Sequence, residues 1–259
     1  MSDLQFEIRD GVARFTLNRP EARNAMPSAM YRDFARQLRR VEQDGSVRVI
    51  LVTGAGKHFC AGGDVKEFAS TVRLGDDERA AVMANMIDDA NDYIQLLARM
   101  PQPVVVSARG MAVGGGLAII CAADLAIVSE SCRMVVGQIN IGGIPDACVS
   151  YNLVRLLGVR RAKQFCLLGD TIDAQAALDF GLVNWVVPDD ELEARTEALV
   201  ARLAKGPGLA LGLTKAALNE AHTKTLAEHC AQEPLDVAAC VRNDDFKRAV
   251  QAMVAKISG

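Results

Sequence analysis

FCAGGD, Phe59 to Asp64, and MAVGGGLA, Met111 to Ala118, are the stretches on which the fold of this chain turns. Each follows a short apolar run of the kind that forms a buried strand, Val49 to Val52 before the first and Val104 to Val106 before the second. Each leads into helix-like sequence. Glycine lets backbone approach a ligand closely, and the N–H groups at a helix start favour negative charge. Two such turns can aim two backbone N–H groups at one oxygen. That arrangement stabilises the charge a thioester oxygen acquires as an enolate or a tetrahedral adduct forms. Taken singly, either glycine run also reads as a tightly packed or flexible turn.

Outward from these turns, strand and helix patterns alternate. Gln5 to Arg9 and Val12 to Leu17 form a hairpin around Asp10 and Gly11, and Met30 to Val41 has helical spacing. Leu125 to Val128 and Val183 to Val187 are further strands, with helices near Asp77 to Met100, Ala147 to Leu157 and Arg160 to Leu168. The alternation argues for an α/β core. Beyond Pro188 the pattern turns helical, over Glu191 to Ala204, Ala210 to Ala221, Leu226 to Cys240 and Phe246 to Ile257.

Composition narrows the function. The 259 residues are 50% hydrophobic, enough for a sizeable core, and carry a formal net charge of −3. The acidic balance and the lack of an aromatic-basic stripe count against nucleic acid. MSDLQFEIRD lacks a basic-then-apolar leader, and the uncharged stretch Gly110 to Ala123 is too short and glycine-rich for a membrane span. A cytoplasmic protein without membrane contact is expected. The 7 cysteines are odd in number and include no C-x-x-C pair, which disfavours a disulfide framework and a zinc ribbon. Cys60, beside the first glycine turn, reads as a buried spacer rather than a nucleophile. The 3 histidines have no metal-site spacing, so no metal is expected. Ser107 and Ser150 lack a nucleophile-elbow context.

NRPEARNAM (Asn18 to Met26), FCAGGDVKEF (Phe59 to Phe68) and GMAVGGGLAIICAADLAI (Gly110 to Ile127) resemble, in order and spacing, successive blocks of the crotonase (enoyl-CoA hydratase/isomerase) superfamily. Similarity continues from Ile141 to Val187. The resemblance implies a spiral of ββα units over residues 1–188, a CoA-binding and catalytic core, and a C-terminal helical oligomerisation region over 189–259. It implies an acyl-CoA thioester as substrate and no separate cofactor. It also implies a homotrimer or a dimer of trimers, to which the apolar Leu203, Leu211, Leu218, Val237, Phe246 and Val250 of the C-terminal helices would contribute. Intramolecular packing is the other reading of those residues.

Residue by residue, the resemblance places the thioester oxygen between the backbone amides of Gly63 and Gly115, with Ala61, Gly62 and Gly114 flanking the substrate. Arg23 and Lys66 become contacts for the CoA phosphates, a role for which a guanidinium fork is suited; exposed, solvated charge is the other reading. Asp64 lies at the substrate turn but is placed to cap the helix that follows.

The departures from the family carry more information. Hydratases hold water with two glutamates; here GGGLA puts Ala118 at the first position, and the match through the IGGIP segment puts Gln138 at the second. Neither can exchange a proton near neutral pH. A carboxylate remains at Asp146 in IPDA, where the segment resembles 4-chlorobenzoyl-CoA dehalogenase and aspartate-dependent CoA isomerases. The dehalogenase's tryptophan and histidine fall on Gln138 and Asn91, so its partner groups are missing. The resulting expectation is an isomerase that moves a proton of an enolate-forming thioester with Asp146 alone. A non-standard hydratase or a CoA-thioester hydrolase is the alternative, ahead of a dehalogenase, an inactive CoA-binding scaffold or an RNA-binding relative. For Asp146 itself a second reading stands: it precedes helix-like sequence, where aspartate is a favoured N-cap. The acyl pocket is expected to draw on Val82, Met86, Gln138 and Ile139.

Overall fold

The computed structural model describes residues 2–257. Strands β1 (Leu4–Arg9) and β2 (Val12–Leu17) pair antiparallel with Arg9 opposite Val12. The two residues between them, Asp10 and Gly11, both have positive φ (54° and 74°), the conformation whose twist suits a two-residue hairpin. From β2 the sheet continues parallel through β3 (Val49–Gly54), β4 (Val104–Ala108), β6 (Leu125–Ser129) and β9 (Trp185–Val187), in the order β1-β2-β3-β4-β6-β9.

Strand periodicity divides this sheet between two cores. Phe15, Ile50, Val52, Val104 and Val106 enter the larger cluster, which includes Phe34 and Leu38 of α1 (Ser28–Gln43). Val12, Val49, Leu51 and Val105 point the other way, onto Val200 of α7 (Leu192–Ala204). Burial on both faces explains why β3 and β4 read as unbroken apolar runs. On the larger side Phe34 packs with tilted rings on Phe15 at 4.7 Å and stacks on Tyr93 at 5.1 Å. This docks α1 against α3 (Asp76–Arg99), each fully buried aromatic contributing roughly 1.5–3 kcal/mol.

A second sheet, β5 (Met111–Val113), β7 (Arg133–Val135) and β8 (Ile172–Asp173), sits beside the first. Against α3 and β5 packs α4 (Gly115–Ala122), whose residues Gly116 to Ala122 are all buried. A helix apolar all round belongs in a core, so its N-terminus, rather than a face, is what the fold presents. Helix α5 (Val149–Leu168) contains a break at Gly158, with φ 73° and ψ 158°, so it is two helical pieces end to end. It begins at Val149, not at the expected Ala147, because Ala147 and Cys148 are left-handed (φ 47° and 60°). Two short helices, α2 (Val65–Thr71) and α6 (Ala174–Asp179), complete the core.

Helices α8 (Gly208–Glu220), α9 (Leu226–Arg242) and α10 (Asp244–Ile257) follow. Lys215 fastens α8 to the core: its buried Nζ meets Asp124 Oδ2 at 2.8 Å and donates to Leu97 O at 2.9 Å. Helices α9 and α10 bury no residue within the chain. Of the six apolar residues expected at an assembly surface, Leu218, Val237, Phe246 and Val250 are exposed, while Leu203 and Leu211 are partly buried. No helix among the described residues is long and apolar enough to cross a membrane.

Candidate active site

The loop after β3 is tied down by a buried asparagine. Asn24, left-handed at φ 57°, accepts from Arg19 N at 2.9 Å and donates from Nδ2 to Ala55 O (2.9 Å) and His58 O (2.7 Å). Ala61 N then donates to Arg23 O at 2.9 Å, so the RPEARN loop and the glycine turn form one unit. Asp64 fixes the far end: Oδ2 accepts from Arg19 Nη1 at 2.8 Å, and Oδ1 accepts from Lys66 N at 2.9 Å, capping α2. Burial pushes the Asp64 carboxyl up, but Arg19, the Lys66 amide and nearby positive charge outweigh it and hold the group below the usual carboxylate range. Its oxygens serve structure. Arg23 and Lys66 are exposed.

The two glycine turns meet. Met26 N donates to Gly62 O at 2.8 Å and Asp64 N donates to Met26 O at 3.2 Å, a parallel bridge pairing Met26 with Gly63. In that pattern the backbone of Gly63 itself is turned away from Met26. Gly115 opens α4, where a first-turn N–H has no intrahelical acceptor. Gly62, at φ +90°, explains why the turn must be glycine: a Cβ there would lie 2.9 Å from Val113 O and 3.6 Å from Gly115 N. The two amides named from sequence therefore belong to abutting backbone segments at the mouth of a buried helix, where the helix dipole adds positive potential.

Cys60 packs beneath this junction. It is fully buried, accepts from Gly62 N at 3.4 Å, and burial pushes its thiol up to about 12. That is the chemistry of a spacer, not a nucleophile.

On the other side of the α4 start lies the surviving carboxylate. Gln138, in the 3-10 turn Gln138–Ile141, is buried and donates from Nε2 to Asp146 Oδ1 at 2.9 Å. Burial raises the Asp146 carboxyl above its ordinary value, while the Gln138 bond and its own backbone N–H act in the opposite direction. The capping alternative is corrected here. The residue at the cap position of α5 is Cys148, with no side-chain cap bond, and Asp146 meets the helix only through its carbonyl, which accepts from Val149 N at 2.9 Å. The left-handed pair Ala147–Cys148 separates the aspartate side chain from the helix end. Asn91 stands beside this loop, its Oδ1 3.8 Å from Cys148 Sγ. Ala118 is buried one turn into α4.

Sequence reasoning missed Tyr93. Its ring is fully buried, and its hydroxyl oxygen lies 4.0 Å from where a Cβ would stand on Gly115. The helical apolar spacing of α3 marks Tyr93 as core and carries no sign that its hydroxyl faces the glycine turn. A separate polar cleft of about 400 Å³ between the main sheet and α7 contains none of these residues; within it Arg14 pairs Glu197 through two bonds of 2.5 and 2.7 Å.

The fold is an α/β architecture with paired glycine turns at a buried helix start. A family model described as enoyl-CoA hydratase/isomerase matches residues 7–258, and the chain belongs to that family, within the crotonase superfamily. It is 35% identical over 254 residues to the 1,2-epoxyphenylacetyl-CoA isomerase of Escherichia coli (strain K12), covering 97% of this chain and 95% of the relative. It is 32% identical over 246 residues to 4-chlorobenzoyl coenzyme A dehalogenase-2 of an Arthrobacter species, covering 94% and 87%. Among solved structures, an enoyl-CoA hydratase from Bacillus anthracis superposes with a TM-score of 0.91 at 28% identity, covering 98% of this chain and 97% of that one.

Proposed function

We propose that this protein isomerises the acyl group of a CoA thioester through an enolate, with Asp146 carrying the proton and the backbone amides of Gly63 and Gly115 holding the thioester oxygen. The observation that carries this reading is the Gln138–Asp146 hydrogen bond. It turns the residue at the second glutamate position into a support for a single carboxylate. With Ala118 at the first position and Gln138 at the second, neither hydratase glutamate has a carboxylate counterpart. A raised carboxyl suits a group that must both take and return a proton, because acid/base efficiency is greatest when the pKa approaches the working pH. Two donors in a preorganised oxyanion hole lower the cost of forming the enolate. Relatives named 1,2-epoxyphenylacetyl-CoA isomerase and trans-2-decenoyl-[acyl-carrier-protein] isomerase add support from comparison.

Arg23 and Lys66 contact the CoA phosphates in this reading, Val82, Met86 and Ile139 wall the acyl pocket, and the reaction needs no cofactor beyond the CoA of the substrate. The exposed apolar residues of α8, α9 and α10 support a homo-oligomer, a trimer or a pair of trimers. Hydration or thioester hydrolysis by Asp146 alone is the second reading, since a lone carboxylate can also activate water.

Incubation of saturated, α,β-enoyl, β,γ-enoyl and aryl CoA thioesters in D2O and in ¹⁸O-labelled water separates the readings. Deuterium entering substrate or a double-bond isomer, without ¹⁸O, is expected. Stoichiometric ¹⁸O in a 3-hydroxyacyl product transfers the assignment to a hydratase, and ¹⁸O in a free acid transfers it to a hydrolase.

A further inference from the structure

Cys60 touches both glycine turns at once. Its backbone pairs with β5, Cys60 N donating to Met111 O and Val113 N to Cys60 O, both at 2.9 Å. Gly116, the second residue of α4, lies directly on it: a Cβ there would stand 2.7 Å from both Cys60 Cβ and Cys60 O. On the other side the sulfur accepts from Gly62 N at 3.4 Å and lies 3.9 Å from Gly62 O. The residue is 0% exposed, so these contacts are shielded from solvent.

Gly62 is also buried, and among the described residues its N–H has no acceptor other than this sulfur. Leaving a buried donor unpaired costs about 1–3 kcal/mol. A thiol is a weak acceptor, yet without it the Ala61–Gly62 peptide would turn to find another partner. That rotation carries into the next amide, Gly63 N–H, which has no acceptor among the described residues. We propose that Cys60 is a positioning residue for the oxyanion hole: seated against Gly116 and accepting from Gly62 N–H, its side chain sets the Gly63 amide relative to the Gly115 amide. This rests on the reading of those two amides as the oxyanion donors, and it gives the buried thiol a task beyond filling space.

The test compares Cys60→Ala with Cys60→Ser. Both remove the sulfur and leave voids of similar size, but serine keeps an acceptor for Gly62 N–H. Three quantities are measured on each: thermal melting, kcat and KM for the thioester that exchanges fastest in D2O, and the infrared carbonyl stretch of a bound saturated thioester. Cys60→Ala should fold and lose about tenfold or more in kcat with KM little changed, since a misplacement of about 1 Å can cost about 10² in rate. Its bound carbonyl stretch should move back toward the value of the free thioester. Cys60→Ser should recover most of the rate and of the carbonyl shift. A folded Cys60→Ala with wild-type kcat overturns the inference, and so does Cys60→Ser falling as far as Cys60→Ala. Failure of Cys60→Ala to fold also overturns it, because the bond would then support the fold rather than the site. Gly115→Pro separates this from the underlying reading. If that folded variant loses turnover while Cys60→Ala does not, only the role of Cys60 falls; if it matches Gly115→Ala, both fall.

Discussion

Gln138 Nε2 stands 2.9 Å from Asp146 Oδ1, so a buried amide donates directly to this carboxylate. The pair is formed by two short segments, the 3-10 turn Gln138–Ile141 and the left-handed corner before α5. Neither segment is a regular element. What holds them is the backbone: Gly143 N donates to Gln138 O at 2.9 Å, and Val149 N to Asp146 O at 2.9 Å. The side-chain bond links the two segments to each other.

Asp146→Asn should fold normally, because the carboxylate makes no cap bond to α5, and should lower kcat by about 10² to 10⁴, the usual range for losing a general acid/base. Thermal melting and steady-state kinetics on one preparation check both halves. Turnover at the wild-type level in a folded variant would remove Asp146 from the mechanism.

Gln138→Leu tests the pH logic. Gln138 opposes the upward push of burial on Asp146, so losing its donor should raise the carboxyl further. The ionised form is the base, and the acidic limb of the kcat/KM profile should therefore move to higher pH. Stability follows the same sign: a carboxyl raised in the fold contributes below its unfolded pKa and loses that contribution as pH rises through the folded value. The stability deficit of the variant relative to wild type should thus grow with pH across that titration. An unmoved acidic limb would show that the Gln138 bond does not act on the catalytic ionisation.

Much of this architecture is legible in the sequence because it is written in long periodic signals. The hairpin, the buried runs of β3 and β4, and the helical spacing of α1 and α3 all rest on several residues agreeing. The break between the two pieces of α5 was also visible as a gap around Gly158, whose positive φ stops helical spacing. Strands β5, β7 and β8, at 3, 3 and 2 residues, are too short for a period to register. Ala147 and Cys148 give no composition cue for left-handed backbone, since that region is ordinarily left to glycine and asparagine. The separation of Asp146 from the α5 cap is therefore a property of the folded backbone alone. Tyr93 was hidden for the opposite reason: it obeys the core pattern of α3, and only its hydroxyl is out of place.

Lys215→Met should destabilise the protein by about 1–3 kcal/mol, because the buried ammonium bonds a partly exposed carboxylate and two carbonyls that would lose their donor. Asp124 would be left with burial raising its carboxyl and without the ammonium that offsets it. The carbonyls of Leu97 and Gln102 would also lose a donor. Tm should fall by roughly 5 °C for a chain of this size. Adding Asp124→Asn should recover part of the loss, because the amide oxygen can still accept from Val104 N, which Asp124 now engages at 2.7 Å. Absence of any recovery would mean the cost lies in the lost lysine contacts rather than in an uncompensated carboxylate.

The oxyanion role of Gly115 is tested by a pair of substitutions that differ in one atom group. A Cβ at Gly115 meets nothing closer than Gly62 Cα at 3.9 Å, ordinary van der Waals contact, so Gly115→Ala should fold and keep its N–H. Any loss it shows reflects crowding near the substrate. Gly115→Pro removes the N–H itself. Proline is tolerated at the first helical position, where the missing donor has no intrahelical acceptor, so α4 should survive the change, with a folding measurement as control. Losing one donor of an oxyanion hole lowers the rate by about 10² to 10³, and the proline variant should fall below the alanine variant by that factor in kcat. A folded Gly115→Pro protein that matches Gly115→Ala in kcat would mean the amide at Gly115 does not hold the developing charge.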